Sequence, residues 1–177
     1  MKFKTTEIPG CYVVASKLFV DSRGVFRRHF DVDKFKACGM ESKIKQCNVS
    51  ENSARYTLRG FHYQKPPNSE SKTISCLRGS IYDIVVDTRP KSKTFLKWQK
   101  FLLNEKNRLS LHVPAGCANA FLTLEPNTVV HYYNSENYNP KVERGIRYND
   151  PLFKFRWPHK PEVISEKDKS WPSFVAE

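Results

Sequence analysis

The pattern that most constrains the fold of this chain is a succession of short segments rich in β-branched and aromatic residues, each bounded by turn residues. These segments are residues 12–20, 25–30, 72–77, 81–87, 95–103, 108–113, 128–133 and 154–157. Many short strands at near-regular spacing favour an antiparallel sandwich or barrel over an α/β fold. The sequence therefore predicts an all-β chain.

One helix and one hairpin stand out within this pattern. Asp31 or Asp33 could cap the first turn of a helix that ends at Gly39, a residue suited to the reversal after a last turn. Residues 72–77 and 81–87, joined by a turn at residues 78–80, are typical of a β-hairpin. The segment from Pro158 onward, rich in proline and charge, is expected to wrap the surface or close over a site.

The composition is that of a globular domain. The 177 residues suffice for one hydrophobic core, so residues 1–177 are predicted to form a single domain. The longest apolar runs are too short to cross a bilayer and the N-terminus carries no signal segment, which predicts a cytoplasmic protein without membrane contact. The scattered cysteines are interpreted as small buried hydrophobic residues, namely Cys11, Cys38, Cys47, Cys76 and Cys117.

The net charge of +12 is compatible with two kinds of partner. A positive field draws in a small phosphorylated substrate, and it equally attracts nucleic acid. The basic residues are spread along the chain, however, and no helix-turn-helix, zinc-finger or RNA-recognition signature is present. No nucleic-acid partner is therefore predicted.

The usual cofactor and metal motifs are missing from the sequence. Its seven glycines form neither a dinucleotide fingerprint nor a phosphate loop, and its five histidines include no HxH or HExxH pattern. An enzyme built on this chain would have to move protons with side chains alone. We therefore predict no cofactor and no metal.

Residues 58–64 (LRGFHYQ) are the segment richest in reactive side chains. Gly60 lets the backbone turn or approach a ligand, and Arg59 and His62 are expected to project near each other. His62 suits a general base because the ordinary pKa of histidine lies near working pH, although a structural histidine is the commoner case. Lys72 could hold a developing oxyanion, although on spacing alone an ordinary solvated lysine is the commoner case.

Three later segments add candidates. Tyr132, with Tyr138 downstream, could act as a general acid if a neighbouring cation eases ionisation of the phenol; core packing is the default alternative. Asn119 lies among small residues (114–121, PAGCANAF) that let the chain pass close to a ligand. Asp168, in residues 165–168 (SEKD), could orient a histidine if the tail folds back; otherwise these residues form a solvated turn.

Taken together, these motifs resemble the dTDP-4-dehydrorhamnose 3,5-epimerase family. The markers follow in order from about residue 8 to residue 174: residues 21–26 (DSRGVF), 46–50 (QCNVS), 58–64, 79–89 (GSIYDIVVDTR), 114–116, 138–140, 149–151, 157–158 and 165–168. The resemblance implies a cupin-type antiparallel β-barrel or jelly roll with one or two short helices. It also implies a homodimer, and a cofactor-free isomerase that inverts C3, C5 or both of a nucleotide-activated 4-keto-6-deoxy sugar.

The resemblance also implies roles for individual residues. His62 would be the base, oriented by Asp168, and Tyr132 would return a proton to the opposite face of the sugar. Lys72 would stabilise the enolate oxygen. Residues implied to contact the nucleotide-sugar are Arg23, Gln46, Asn48, Arg59, Asn119, Glu143 and Lys167, and the secondary candidates are Asp83, Arg28 and Tyr138.

Two departures from the family's usual residues leave alternatives open. Asn119 stands where the family usually carries a histidine, and Arg28 where it usually carries an acidic residue. Asparagine still forms hydrogen bonds but carries no charge. One alternative is an epimerase that acts only at C3 or only at C5 of a GDP- or CDP-linked 4-keto sugar. The other is a non-catalytic barrel that binds nucleotide-sugars.

Overall fold

Two antiparallel sheets form most of the structure, a computed structural model that describes residues 1–176. The strands are β1 (Lys2–Thr5), β2 (Tyr12–Ala15), β3 (Leu18–Asp21), β4 (Gly24–Arg27), β5 (Gln46–Asn52), β6 (Thr57–Gln64), β7 (Lys72–Arg78), β8 (Ser80–Asp87), β9 (Trp98–Asn104), β10 (Leu109–Val113), β11 (Cys117–Thr123), β12 (Thr128–Asn134), β13 (Glu143–Gly145) and β14 (Val163–Ile164). The helices are α1 (Val32–Ala37) and α2 (Glu166–Lys169). The predicted all-β class with one or two short helices is confirmed.

The two sheets face each other across a shared apolar core. The first has the strand order β1-β2-β10-β7-β12-β5 and the second β13-β6-β11-β8-β9, while β3 and β4 pair only with each other. Ile74 and Leu111 of the first sheet are buried in one cluster with Val85 and Phe121 of the second. Because successive strand residues point to opposite faces, each sheet turns one face to this core.

The prediction that residues 72–77 and 81–87 form a hairpin is wrong. β7 pairs with β10 and β12 in the first sheet, whereas β8 pairs with β9 and β11 in the second. Gly79, with φ of +77°, turns the chain from one sheet to the other. A short turn between two alternating segments is as compatible with a change of sheet as with a hairpin, because alternation reports burial and not the pairing partner.

Two further segments differ from expectation. Residues 12–20 divide into β2 and β3, and residues 154–157 do not form a strand. In the latter segment, Phe155 and Trp157 both pack against the outer cluster of the second sheet. Two residues on one face at a spacing of two reproduce the alternation of a strand without any strand pairing.

The local predictions in the N-terminal half have mixed outcomes. Helix α1 begins after its N-cap Asp31, whose side chain accepts the Lys34 N–H, as predicted. The cysteine prediction is wrong in part, because Cys47 on the edge strand β5 is exposed and Cys38 is half-buried. Within residues 1–176, no helix has the length and apolar character needed to cross a membrane.

Candidate active site

A cavity of about 380 Å³ opens between the two sheets and brings together the predicted proton-transfer residues. His62 reaches it from β6, Lys72 from β7, Tyr132 from β12 and Asp168 from α2. β12 and α2 are far from β6 and β7 in sequence, and the residues face one another because β6 lies in one sheet and β7 and β12 lie in the other.

Arg59 and His62 share this cavity because of an irregularity in β6. Arg59 pairs with Phe121 and His62 with Asn119, so β6 has one residue more than β11 over this stretch. In a regular strand, residues three apart point to opposite faces of the sheet. The extra residue brings Arg59 and His62 onto one face, the face that Phe121 and Asn119 share. At Gly60, φ is +112° and a Cβ would lie 2.5 Å from the Asn119 carbonyl oxygen, so only glycine fits.

The His62 imidazole is hydrogen-bonded to the Asp168 carboxylate. Nε2 lies 2.6 Å from Oδ1, and Oδ2 accepts the Gly60 N–H at 3.1 Å. Burial alone would raise the pKa of Asp168, but the hydrogen bonds from His62 and Gly60 outweigh burial and lower it. The ionised carboxylate favours the tautomer with the proton on Nε2. The Nδ1 atom of His62, which has no hydrogen-bond partner among residues 1–176, is then free to accept a proton.

Tyr132 faces the same cavity from the opposite sheet. Burial raises the pKa of its phenol, and the positive charge of Arg59 offsets this effect only in part. A hydrogen bond of 2.7 Å from Arg59 Nε to Asn52 Oδ1 holds that guanidinium in place. The expected neighbouring cation is therefore present, but burial dominates and the phenol keeps its proton at neutral pH, as a general acid must before it reacts.

A chain of polar groups lies at the base of the cavity. Lys72 Nζ donates to Asn119 Oδ1 at 3.3 Å, and Asn119 Nδ2 donates to Asp83 Oδ2 at 3.3 Å. Asp83 is fully buried, and burial raises its pKa to about 8 against the Asn119 hydrogen bond and the Lys72 charge. Glu70 Oε1 lies 3.7 Å from Lys72 Nζ, and burial raises the pKa of Glu70 as well. Because Asp83 is largely protonated at neutral pH, it leaves the charge of Lys72 available to the cavity.

Four other predicted residues gather at one side of the site. Lys167, which also lines the cavity, donates to Glu143 Oε2 at 2.6 Å, and the Tyr138 hydroxyl donates to the same oxygen at 2.8 Å. Gln46 accepts the backbone N–H of Tyr138 at 2.8 Å. Asn48 lies on β5 directly opposite the cavity tyrosine in the strand register. These five residues are called the rim below: Gln46, Asn48, Tyr138, Glu143 and Lys167.

Arg23 and Arg28 are not brought to the cavity within one chain. The Arg23 side chain, in the turn between β3 and β4, is 88% exposed and pairs with Asp21. Arg28, just after β4, pairs with Asp31. Neither residue is part of the cavity lining.

Comparison with known proteins gives the chain's family. Residues 5–176 match the family model described as dTDP-4-dehydrorhamnose 3,5-epimerase. A protein of that name from Mycobacterium tuberculosis is 36% identical over 178 residues, which cover 98% of this chain and 88% of that protein. The chain belongs to the dTDP-4-dehydrorhamnose 3,5-epimerase family.

Solved structures related to this family have the same fold. A dTDP-4-dehydrorhamnose 3,5-epimerase from Bacillus anthracis with TDP and PPi bound superposes with a TM-score of 0.94 at 34% identity, covering 98% of this chain and 99% of that one. A 3′-monoepimerase from Streptomyces bikiniensis in complex with dTDP-quinovose gives a TM-score of 0.87 at 30% identity, covering 95% and 85%. The cupin-type fold is thereby confirmed, and the chain is a carbohydrate epimerase of the isomerase class.

Two residues near the site of this epimerase family member were not predicted from its sequence. Glu70 contacts Lys72 but belongs to none of the recognised motifs. Trp171 follows α2, with its ring centroid 6.5 Å from that of His62. The feature of the sequence that could have pointed to Trp171 is the presence of one large aromatic residue in an otherwise polar stretch. Within residues 1–176, no group of three or more His, Cys, Asp or Glu side chains is arranged to hold a metal ion.

Proposed function

We propose that this chain inverts C3, C5 or both of a dTDP-linked 4-keto-6-deoxy sugar, a step in deoxysugar and surface-polysaccharide biosynthesis. The observation that carries the proposal is the cavity that His62 and Tyr132 share from opposite sheets. The names of the relatives support dTDP as the carrier. The proposal includes a cytoplasmic location, which cell fractionation would test.

Proton transfer through an enolate accounts for these two residues. A 4-keto group acidifies the C–H bonds of both neighbouring carbons, because the carbanion delocalises onto the keto oxygen. His62 Nδ1 removes the proton, and the ionised Asp168 stabilises the imidazolium that forms. Tyr132 then delivers its phenolic proton to the opposite face of the same carbon, which inverts its configuration. Each positioned acid or base contributes on the order of 10²–10⁴ in rate.

The enolate needs a positive charge near its oxygen. Lys72 is suited to this role because its ammonium contacts Asn119 and remains at the cavity surface. A preorganised cation stabilises charge that develops during the reaction without further rearrangement. Arg59, beside Tyr132, is proposed to face the sugar or the diphosphate.

The rim is proposed to hold the nucleotide, with help from a second copy of the chain. The β3–β4 hairpin exposes Phe19 to 51% and Phe26 to 65%, together with Val20 to 72%. Exposed apolar side chains on a projecting hairpin are typical of a protein interface. In a homodimer, docking of each hairpin on the partner would bury these side chains and bring Arg23 and Arg28 to the partner's nucleotide.

Solvent deuterium exchange tests the reaction. The purified chain, without added metal or NAD, is incubated in D₂O with dTDP-4-keto-6-deoxyglucose, and deuterium at C3 and C5 is followed by NMR. His62→Ala and Tyr132→Phe are each expected to slow turnover to the inverted sugar, followed by the same NMR method, at least about 100-fold while remaining folded. Tyr133→Phe is the matched control, because Tyr133 packs with α1 outside the cavity and is expected to leave exchange near the wild-type rate. Absence of exchange with dTDP-, GDP- and CDP-linked 4-keto sugars would end the proposal.

The same experiment separates the alternatives. Label at only one carbon would assign a single-site epimerase; one structure similar to this chain is that of a 3′-monoepimerase. Tight binding of a nucleotide-sugar without any exchange would assign a non-catalytic barrel, for which the asparagine at position 119 is the motivating feature.

A further inference from the structure

Helix α2, which carries Asp168, is too short to hold its own position. It spans four residues, and its one buried residue is Asp168 itself. Four residues are far below the length at which an isolated helix is stable, and burial of a carboxylate does not drive packing. Other contacts must therefore hold α2 against β6.

Trp171, two residues after α2, provides such a contact. A Cβ on Gly145 would lie 2.1 Å from the indole Cε2 and 2.2 Å from Nε1, so the indole ring occupies the space of a side chain at that position. Gly145 does not adopt the left-handed backbone conformation. Glycine is required here for space, and Trp171 fills that space.

The indole also lies beside the proposed base. Gly145 on β13 is paired with His62 on β6, so a side chain at position 145 would project on the same side as the imidazole. The Trp171 ring takes that place, with its plane at 64° to the imidazole. The ammonium of Lys167, within α2, lies 5.8 Å from the indole centroid. Trp171 thus contacts both the helix that carries the carboxylate and the strand pair that carries the base.

We propose that Trp171 is a positioning residue that holds α2 in place and thereby keeps Asp168 hydrogen-bonded to His62. The inference rests on the proposed role of His62 as base. Indole Nε1 is buried and has no hydrogen-bond partner among residues 1–176, so the contact is one of packing. Removal of the ring frees α2 to move away from β6; among the proposed binding residues only Lys167 lies on α2, and the others stay in place.

Kinetic coupling between Trp171 and Asp168 tests this inference. In the full-length chain, Trp171→Ala is expected to lower kcat about 10- to 100-fold, because small displacements of a catalytic group are costly. KM should change by a smaller factor than kcat, since the lost interaction orients the base and only one proposed binding residue, Lys167, lies on α2. In an Asp168→Ala background, Trp171→Ala should cost less than about twofold more, because the residue through which it acts is gone.

Two further variants separate positioning from general stability. Trp171→Phe keeps a ring over Gly145 and is expected to retain most of kcat. Phe174→Ala removes another aromatic side chain of the tail, one that packs on Phe153 instead, and is expected to leave kcat near wild type. Should Trp171→Ala melt below the assay temperature, Gly145→Ala replaces it, because the added methyl group displaces the indole.

The outcomes distinguish this inference from the proposed function. An inactive wild-type chain would end the proposed function. An active wild-type chain in which Trp171→Ala keeps full kcat, or loses the same factor with and without Asp168, would overturn the positioning role and leave the proposed function intact.

Discussion

The pKa of the Asp83 carboxyl group is determined by its burial and by its few polar contacts. Its Oδ2 accepts a hydrogen bond from Asn119, and its Oδ1 is buried with no partner among residues 1–176. Asp87 on the same strand is equally buried, yet it receives hydrogen bonds from Arg89, Ser92 and Thr94. Burial raises the pKa of both groups, but the hydrogen bonds lower that of Asp87 to about 2 while Asp83 rises to about 8.

Asp83 should therefore make the stability of the fold depend on pH. Between the ordinary pKa and about 8, the folded chain keeps a proton that the unfolded chain has released, so stability falls as pH rises through this window. Asp83→Asn removes this effect. The melting temperature of the variant minus that of the wild type is therefore expected to increase from pH 4 to pH 8. Thermal melts at both ends of the range measure it, and a constant difference would contradict the assignment.

Asp87→Asn is the matched control for this experiment. Both pKa values of Asp87, ordinary in the unfolded chain and about 2 in the folded chain, lie below pH 5. Its stabilising effect is therefore complete above that pH. The variant is expected to lower the melting temperature by a similar amount at pH 5 and pH 8.

Single residues were predictable where a motif carries them. The resemblance assigned His62, Asp168, Tyr132 and Lys72 to one reaction, and all four line one cavity. Trp171 was not predictable, because its position depends on Gly145, a neighbour that only the folded chain supplies.

Among the elements, β6 determines most of the site geometry through its extra residue. The irregularity requires a glycine at position 60, both for its φ of +112° and for the close approach of β11. Gly60→Ala is expected to destabilise the fold by roughly 2–4 kcal/mol, measured by denaturant unfolding.

Gly24 provides the comparison for that variant. It has φ of +120°, but a Cβ there would meet no atom within 4 Å. Gly24→Ala therefore adds the backbone strain without the steric clash. The losses in free energy of unfolding caused by Gly60→Ala and Gly24→Ala should differ by at least about 1 kcal/mol. Equal losses would show that β11 moves aside without destabilising the fold.

Helices and strands were predictable where the residues that indicate them lie close together in the sequence. The helix start at Asp31 depends on a capping contact three residues away, which the sequence displays directly. The pairing of β7 with β12 and of β8 with β11 depends on strands far along the chain, so the sequence showed β7, β8 and β12 as strands but not their partners. The two-residue strand β14 and the four-residue helix α2 are too short to leave a periodic pattern.

The whole molecule is expected to be a dimer joined through the β3–β4 hairpin. Phe19→Ser with Phe26→Ser removes exposed aromatic area without touching the core, because both side chains are more than half exposed. The double variant is expected to elute as a monomer in size-exclusion chromatography with light scattering. Its KM should rise if Arg23 and Arg28 serve the partner's nucleotide.

Val175→Ser is the control for the hairpin variant. Val175 is 76% exposed but lies outside the hairpin, so its substitution should leave both the dimer and KM unchanged. A wild-type chain that is monomeric at micromolar concentration would contradict the dimer.

The edge of the second sheet is closed in an unusual way. β14 covers Thr57 and Leu58 of β6, and β13 covers His62 to Gln64. In the gap between them, the N–H of Gly60 is accepted by the Asp168 carboxylate instead of a strand carbonyl. A chain that lost this carboxylate would bury the Gly60 N–H without an acceptor, at a cost of about 1–3 kcal/mol in stability. Replacement of Asp168 is therefore expected to weaken the fold of the second sheet as well as the orientation of His62.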